Sequence, residues 1–472
     1  MASTVVDDIL RMTAVEMGAA YRRDELSPVE VAAACLSRIA EADPGINAFC
    51  LVDPETTLAM ARASEDRWMS GEPQGVLDGV PVAIKDLVVS KGWPTLRGSK
   101  TVDRNQPAEH DAPSVARLRE NGAVFIGKTT TPEFGWKGTN DSPLTGTTRN
   151  PWNLSKTPGG SSGGAGAALA AGYCPLAIGT DAGGSIRIPA SFSGVFGLKP
   201  TAGRVAMWPA SPFGTLAHLG PMSRTVADSA LFLNVISEPD ARDWYQQPVP
   251  QVDYTWDLAK GIRGAKIAFS PRLGWVKHVD PEVEATVAAT VKRLTELGAN
   301  VTEVDPPGGD PTSFFMTLYT AGAGFLLADY PEEKLALLDP NLRALVEASR
   351  SITRKDFQQA TADRAAYGAG IKAFMANYDF LVTPSTAVAA FDTPLVTPFD
   401  PNGKLWTDWT PFTYPFNATT QPAASIPCGF TSDGLPIGIQ IIGRMGEDAR
   451  VLQASHALEK LLSLADRHPS DI

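Results

Sequence analysis

Two glycine–serine segments near the middle of the chain, Gly159-Gly160-Ser161-Ser162-Gly163-Gly164 and Asp181-Ala182-Gly183-Gly184-Ser185-Ile186-Arg187, restrict what it can fold into more than any other feature. Paired glycines are poor interior residues for a helix or strand, yet they let neighbouring backbone approach closely and let successive N–H groups face one small volume. Serines set among them supply hydroxyl nucleophiles if a base can take the proton, and converging N–H groups suit an oxyanion. With one short helix between them, both segments read as parts of an active site. The open questions are which serine reacts and what activates it.

The 472 residues exceed the usual size of a single core, which leaves two or three domains or one large α/β domain. No repeat, low-complexity stretch or linker divides the chain, so a single domain over 1–472 is expected. A hydrophobic fraction of 43% with 20% charged residues is that of an ordinary globular protein. The net charge of −11, with no basic run to offset it, argues against a nucleic-acid partner. The start, Met1-Ala-Ser-Thr-Val-Val-Asp-Asp, has neither a basic nor an apolar signal region, so a cytoplasmic location is expected. The stretch from Gly163 to Gly179, interrupted by Pro175, falls short of a membrane span and reads as a buried helix. Cys35, Cys50, Cys174 and Cys428 stand singly, as reduced core thiols do.

Helix and strand signals alternate. The first 70 residues read as helical, with an apolar stripe over Thr13 to Arg23 and a capped start at Ser27-Pro28-Val29-Glu30 running to about Ala42. Strands are expected at Val80 to Lys85, Ala123 to Ile126, Lys266 to Phe269, Asn300 to Val304 and Asp379 to Val382. A helix capped by Asp280-Pro281 lies between the third and fourth of these, completing a β-α-β unit. Residues 311–377 read as mostly helical, and Ala423 to Phe430 with Pro436 to Ile442 as a hairpin around Ser432-Asp433-Gly434. A last helix is expected from about Glu447 to Leu462.

Some motifs mislead. Gly122-Ala-Val-Phe-Ile-Gly127-Lys128-Thr129 has the spacing of a phosphate-binding loop, but its middle is an apolar strand and Thr-Thr-Pro132 follows where a helix should start. The first glycine–serine segment fits the G-x-S-x-G elbow of serine hydrolases, which needs a downstream acid and histidine. His218, His278, His456 and His468 are the downstream histidines, and none sits in a recognisable constellation. There is no H-E-x-x-H, so neither a metal nor a cofactor is expected. What remains is a lysine whose burial lowers its pKa, and Lys85, ending the apolar strand Val80-Pro-Val-Ala-Ile84, fits best. Alone, a strand-end lysine reads more readily as a solvated residue.

Lys85 is not alone. Gly79-Val-Pro-Val-Ala-Ile-Lys85-Asp86, Pro158-Gly-Gly-Ser161-Ser162-Gly-Gly164, Gly179-Thr-Asp-Ala-Gly-Gly-Ser185-Ile-Arg-Ile-Pro-Ala190 and Gly197-Leu-Lys-Pro-Thr201 together closely resemble the amidase signature family. The resemblance is strongest over a core of about 75–230 and extends more weakly to both ends. It implies an α/β fold with one large twisted mixed β-sheet surrounded by helices. It also implies that Ser185 is the nucleophile, Ser161 a relay serine joined to Gly160 by a cis peptide, and Lys85 the terminal base. The N–H groups of Ala182, Gly183, Gly184 and Ser185 become the oxyanion hole, with Ser162, Asp181, Arg187 and Gly160 in support.

The expected activity is cleavage of a carboxamide through an acyl-enzyme, with small amide, ester or aryl carbamate substrates and a monomer or homodimer. The region 311–420, with its aromatic runs Phe314 to Phe325 and Trp406 to Phe416, is where a substrate pocket or simply more core is expected. Two departures bear on subgroup. Thr130 replaces an asparagine common among relatives, and His218-Leu219 precede Gly220-Pro221 where the glutamine-amidotransferase subunit normally has Asp-Gln. The alternatives are such an amidotransferase subunit, or a Ser-His-Asp esterase using Ser162.

Overall fold

The computed structural model describes residues 3–248, 252–464 and 467–469. Met1 and Ala2, the first residues of the start read above, and residues 470–472, the end of the 1–472 span, lie outside them.

One sheet carries eleven strands: β1 (Phe49–Val52), β2 (Pro81–Lys85), β3 (Val124–Thr129), β4 (Leu176–Asp181), β5 (Phe196–Lys199), β6 (His218–Ser223), β7 (Lys266–Phe269), β8 (Asn300–Glu303), β9 (Phe380–Pro384), β10 (Ala423–Phe430) and β11 (Pro436–Ile442). Their order across the sheet is β1-β3-β2-β4-β6-β5-β10-β11-β9-β7-β8. β2 runs parallel to β3 and β4, and β7 parallel to β8 and β9, while the strands between these two groups pair antiparallel. Central strands such as β2, β3 and β11 are buried along their whole length, as a sheet covered by helices on both faces requires.

Local signals account for many boundaries. Ser27 accepts from the Val29 N–H and Glu30 returns to the Ser27 N–H, closing the expected capping box, although the helix runs on to Ile46 rather than Ala42. The β10–β11 hairpin matches its expected strands residue for residue. Lys266–Phe269, the helix Pro281–Leu294 and Asn300–Glu303 form the expected parallel unit.

Two expectations fail. The first 70 residues are not all helical: Phe49–Val52 forms β1, which pairs antiparallel with β3 at the edge of the sheet. Gly163 to Gly179 is not one buried helix: it is the helix Gly163–Ala170 followed by β4. Gly172, at φ +71°, and Pro175 end the helix, and Leu176-Ala-Ile178 then pairs between β2 and β6. Gly122 to Thr129, the apparent phosphate-binding loop, leads into β3, with Lys128 wholly buried inside the sheet and donating to the Val88 carbonyl and Thr95.

All four cysteines are free thiols, and burial pushes those of Cys174 and Cys428 up to about 12, which leaves them inert. No helix among the described residues is long and apolar enough to cross a membrane.

Candidate active site

The sheet builds the site at one strand junction. β2 and β4 are parallel and pair Ile84 with Ile178, so their carboxyl ends, Lys85 and Thr180-Asp181, emerge side by side. That edge is where ligands bind in open parallel sheets. The chain between Gly159 and Ser162 reaches the same edge before entering the helix Gly163–Ala170.

Lys85 is fully buried, and its Nζ lies 2.8 Å from Ser161 Oγ, 2.8 Å from Ser162 Oγ and 2.9 Å from Thr180 Oγ1. It has no ion pair among the described residues; the next residue, Asp86, turns toward Lys128, 3.6 Å away. Burial lowers the Lys85 pKa well below the ordinary lysine value, with the charge of Asp181 opposing but not offsetting it.

Ser162 holds the N-cap position of the helix but does not cap it. Its hydroxyl donates to the Thr180 carbonyl and receives the Thr180 N–H, both at 3.2 Å, so its single hydrogen is already committed. The Gly160–Ser161 peptide is cis, and the Ser162 N–H donates to the Ser185 carbonyl at 3.1 Å. Backbone pairing thus locks the two glycine–serine segments together.

Asp181 and Arg187 frame the second segment from behind. The Asp181 carboxylate receives the Gly184 N–H at 2.7 Å, the Ile186 N–H at 3.2 Å and both the Nε and Nη2 of Arg187 at 3.0 Å. Burial pushes the Asp181 carboxyl up, but the charge and hydrogen bonds of Arg187, joined by Lys199 and Asn417, outweigh it and hold it well below the carboxylate range. Arg187 also donates to the Thr413 carbonyl, Gln440 and Asn417, which satisfies its buried guanidinium.

One expected donor is therefore spent. The Gly184 N–H is committed to Asp181, which removes it from the four-donor oxyanion hole. The N–H groups of Ala182, Gly183 and Ser185 make no hydrogen bond among the described residues. Glycine is required here by space as well as conformation. Gly184 sits at φ +131°, and a Cβ on Gly183 would lie 2.5 Å from the Trp406 ring.

Ser161 and Ser185 open onto a common cavity of about 250 Å³. Its walls come from Leu87 to Val89, Phe134-Gly135, the segment Met207 to Phe213, and Ala217 to Leu219. Of the region 311–420, Leu326 is the residue that reaches this wall. Phe315, Tyr319, Trp406 and Tyr414 instead pack on one another as buried core behind Gly183, Phe315 stacked on Tyr319 and Tyr414 with Trp406 edge-on. Thr130 is also removed from the cavity wall; it bonds with Thr148, Asn140 and the Ala48 carbonyl under the helix Gly163–Ala170.

His218 lines the cavity, a place its sequence context did not reveal. Its Nδ1 faces the carbonyls of Leu216 at 2.8 Å and Asp181 at 3.3 Å, so Nδ1 carries the proton and Nε2 presents a lone pair. No histidine hydrogen-bonds to Ser161, Ser162 or Ser185 among the described residues, and His456 bonds instead to the Leu258 carbonyl. Other contributors were equally hidden. Thr180 lies inside a recognised motif, but Thr413, Asn417 and Gln440 are more than 220 residues from Arg187 and belong to no motif.

The geometry agrees with the comparisons. Residues 30–452 match the Amidase family model. An acylamidase of Rhodococcus erythropolis is 39% identical over 98% of this chain and 97% of its own length. A glutamyl-tRNA(Gln) amidotransferase subunit of Myxococcus xanthus is 36% identical over 95% of this chain and 97% of its own. Among solved structures, a bacterial aryl acylamidase of the amidase signature enzymes superposes with a TM-score of 0.89 at 31% identity, covering 95% of this chain and 96% of that one. The chain belongs to the amidase signature family. It is an enzyme that hydrolyses amide C–N bonds.

Proposed function

We propose that the enzyme cleaves its substrate through an acyl-enzyme on Ser185, with Ser161 relaying the proton to Lys85. The observation that carries this is the buried Lys85, without an ion pair among the described residues, at 2.8 Å from Ser161 Oγ. A neutral amine has two N–H donors and one lone pair. Ser162, whose hydrogen goes to the Thr180 carbonyl, takes one N–H, and Thr180 Oγ1 can take the other. The lone pair is then left for the Ser161 hydroxyl.

In the first step Ser185 Oγ bonds to the carbonyl carbon while its proton passes to Ser161 and that of Ser161 to Lys85. The N–H groups of Ala182, Gly183 and Ser185 stabilise the oxyanion. Collapse breaks the C–N bond, and the ammonium of Lys85 returns a proton through Ser161 to the departing nitrogen, which otherwise leaves poorly. Water repeats the sequence and frees Ser185. Such a site also accepts esters and aryl carbamates, because the leaving group and the pocket, more than the serine, separate these carbonyls.

The apolar walls and the acylamidase relatives support an acyl or aryl amide substrate. The amidotransferase reading is disfavoured by His218-Leu219, which stand where that subunit normally carries Asp-Gln. The esterase reading is disfavoured because no histidine bonds to Ser162 among the described residues, its hydroxyl donating to the Thr180 carbonyl instead. Mass spectrometry after treatment with a fluorophosphonate, followed by a panel of aryl amides, aliphatic amides, esters and carbamates on the purified chain, tests the proposal. The adduct is expected on Ser185 and absent from Ser185→Ala. An adduct on Ser162, or full amidase activity in Ser185→Ala, overturns it.

A further inference from the structure

The cavity wall carries one charge that no ion pair among the described residues balances. Of its two formally charged side chains, Asp181 is consumed by Arg187, whereas Arg97, half-buried in the wall, makes no side-chain hydrogen bond and no ion pair among the described residues. Around it the wall is largely apolar, with Leu87, Val88, Val89, Phe134 and Leu326 among its residues. A guanidinium there forgoes part of its hydration without a protein partner to replace it.

The backbone fixes Arg97 in place. Its φ is +56°, in the left-handed region that is strained for a non-glycine residue. Its N–H donates to the Asp86 carbonyl at 3.1 Å, and its carbonyl receives the Phe134 N–H at 2.8 Å. The residue after Phe134, Gly135, would place a Cβ 3.2 Å from Ser161 Oγ. Arg97 is therefore tied to the same short loop that abuts the relay serine. The acids on the two segments tied to Arg97 are engaged elsewhere: Asp86 with Lys128 and the Leu96 N–H, and Glu133, next to Phe134, with the Ser99 hydroxyl and the Asp339 N–H.

We infer that Arg97 receives a carboxylate on the substrate, so that the enzyme's preferred amides are anionic, bearing a carboxylate beyond the scissile bond. This rests on the reading of Ser185 and Ser161 as the reacting centre. A planar fork of N–H donors matches a carboxylate in two parallel hydrogen bonds, and the half-buried setting strengthens them. The wall offers the rest of the substrate apolar contact, and the protein's charge of −11 gives an anion no other reason to enter.

The test compares matched anilides: 4-acetamidobenzoate against 4-methylacetanilide, with the carboxylate on the amine side, and N-phenylglutaramate against N-phenylpentanamide, with it on the acyl side. The readout is the ratio of kcat/KM within each pair for wild type, Arg97→Gln and Arg97→Lys, with fluorophosphonate labelling of Ser185 alongside. In wild type at least one pair is expected to favour the acid about tenfold or more, the size of a charge-assisted hydrogen bond, and that pair identifies the side. Arg97→Gln should abolish the preference and Arg97→Lys keep part of it. Ratios of one or less in both wild-type pairs, or a preference that survives Arg97→Gln, overturn the inference. Should Arg97→Gln fail to fold, the wild-type ratios and Arg97→Lys decide. Failure of labelling at Ser185 in wild type strikes the catalytic reading instead, and is seen separately.

Discussion

Thr180 Oγ1 lies 2.9 Å from Lys85 Nζ, which makes a threonine one residue before Asp181 the third neighbour of the buried lysine. Replacing it by valine keeps the shape and removes the acceptor. An ammonium loses more by this than a neutral amine, so Thr180→Val should move the rising limb of the kcat/KM profile toward lower pH. The loss of a buried hydrogen-bond partner, about 1–3 kcal/mol, should also lower the plateau. A pH–rate series on the purified variant measures both.

As the proposed base Lys85 must be neutral, and its pKa is lowered by burial. The wild-type rate should therefore climb with pH through that lowered value and then level off. Lys85→Met should lose about 10²- to 10⁴-fold in kcat/KM and lose the limb with it. A wild-type profile that is flat from acid to neutral pH would speak against Lys85 as the base.

The Asp181–Arg187 pair has both side chains wholly buried. Arg187→Met leaves the carboxylate without its main compensation and should cost about 3–5 kcal/mol, read from urea unfolding. Asp181→Asn should cost less, since an amide keeps one acceptor for the Gly184 N–H.

Two buried aspartates should give stability opposite pH dependences. The Asp181 carboxyl is depressed, so its contribution is present above the unfolded value of about 3.9 and is lost as pH falls below it. Asp228 is pushed up to about 6 by burial, against hydrogen bonds from Val15 and Ala14; its contribution is full below about 3.9 and is lost as pH rises through 6. Asp228→Asn should thus gain on wild type between pH 4 and pH 7.5, measured by urea midpoints at both ends.

Gly183→Ala puts a methyl 2.5 Å from the Trp406 ring and 3.1 Å from Phe315. Both aromatics are buried, so the backbone must give way. One misaligned oxyanion donor typically costs about 10²- to 10³-fold in kcat. Steady-state kinetics should show the loss in kcat rather than in KM.

Local grammar made some of this visible in advance. Ser27-Pro28-Val29-Glu30 announces its own helix start, and the hairpin turn at Ser432-Asp433-Gly434 announces its strands, because caps and turns are decided by adjacent residues. The runs that hold Lys85, Ser161 and Ser185 stood out because their glycines and small residues leave few alternatives. The strand at Leu176–Asp181 was misread because a short apolar run has no distinguishing period. Arg97 and the Met207 to Phe213 wall were beyond reach, since being a wall depends on what the sheet order sets opposite. The Gly184 N–H could not be assigned to Asp181 from sequence either, as both readings use the same residues.

Arg187 draws on Thr413, Asn417 and Gln440, from the last sixth of the chain, whereas Lys85, Ser161 and Ser185 all precede it or lie beside it. During synthesis these three side chains leave the ribosome long before the groups that Arg187 bonds to. A nascent chain stalled at about residue 400 would carry every proposed catalytic side chain while Arg187 still lacked its partners from that last sixth. The loop that carries Ser185 thus gains its full set of buried partners only when β11 is complete.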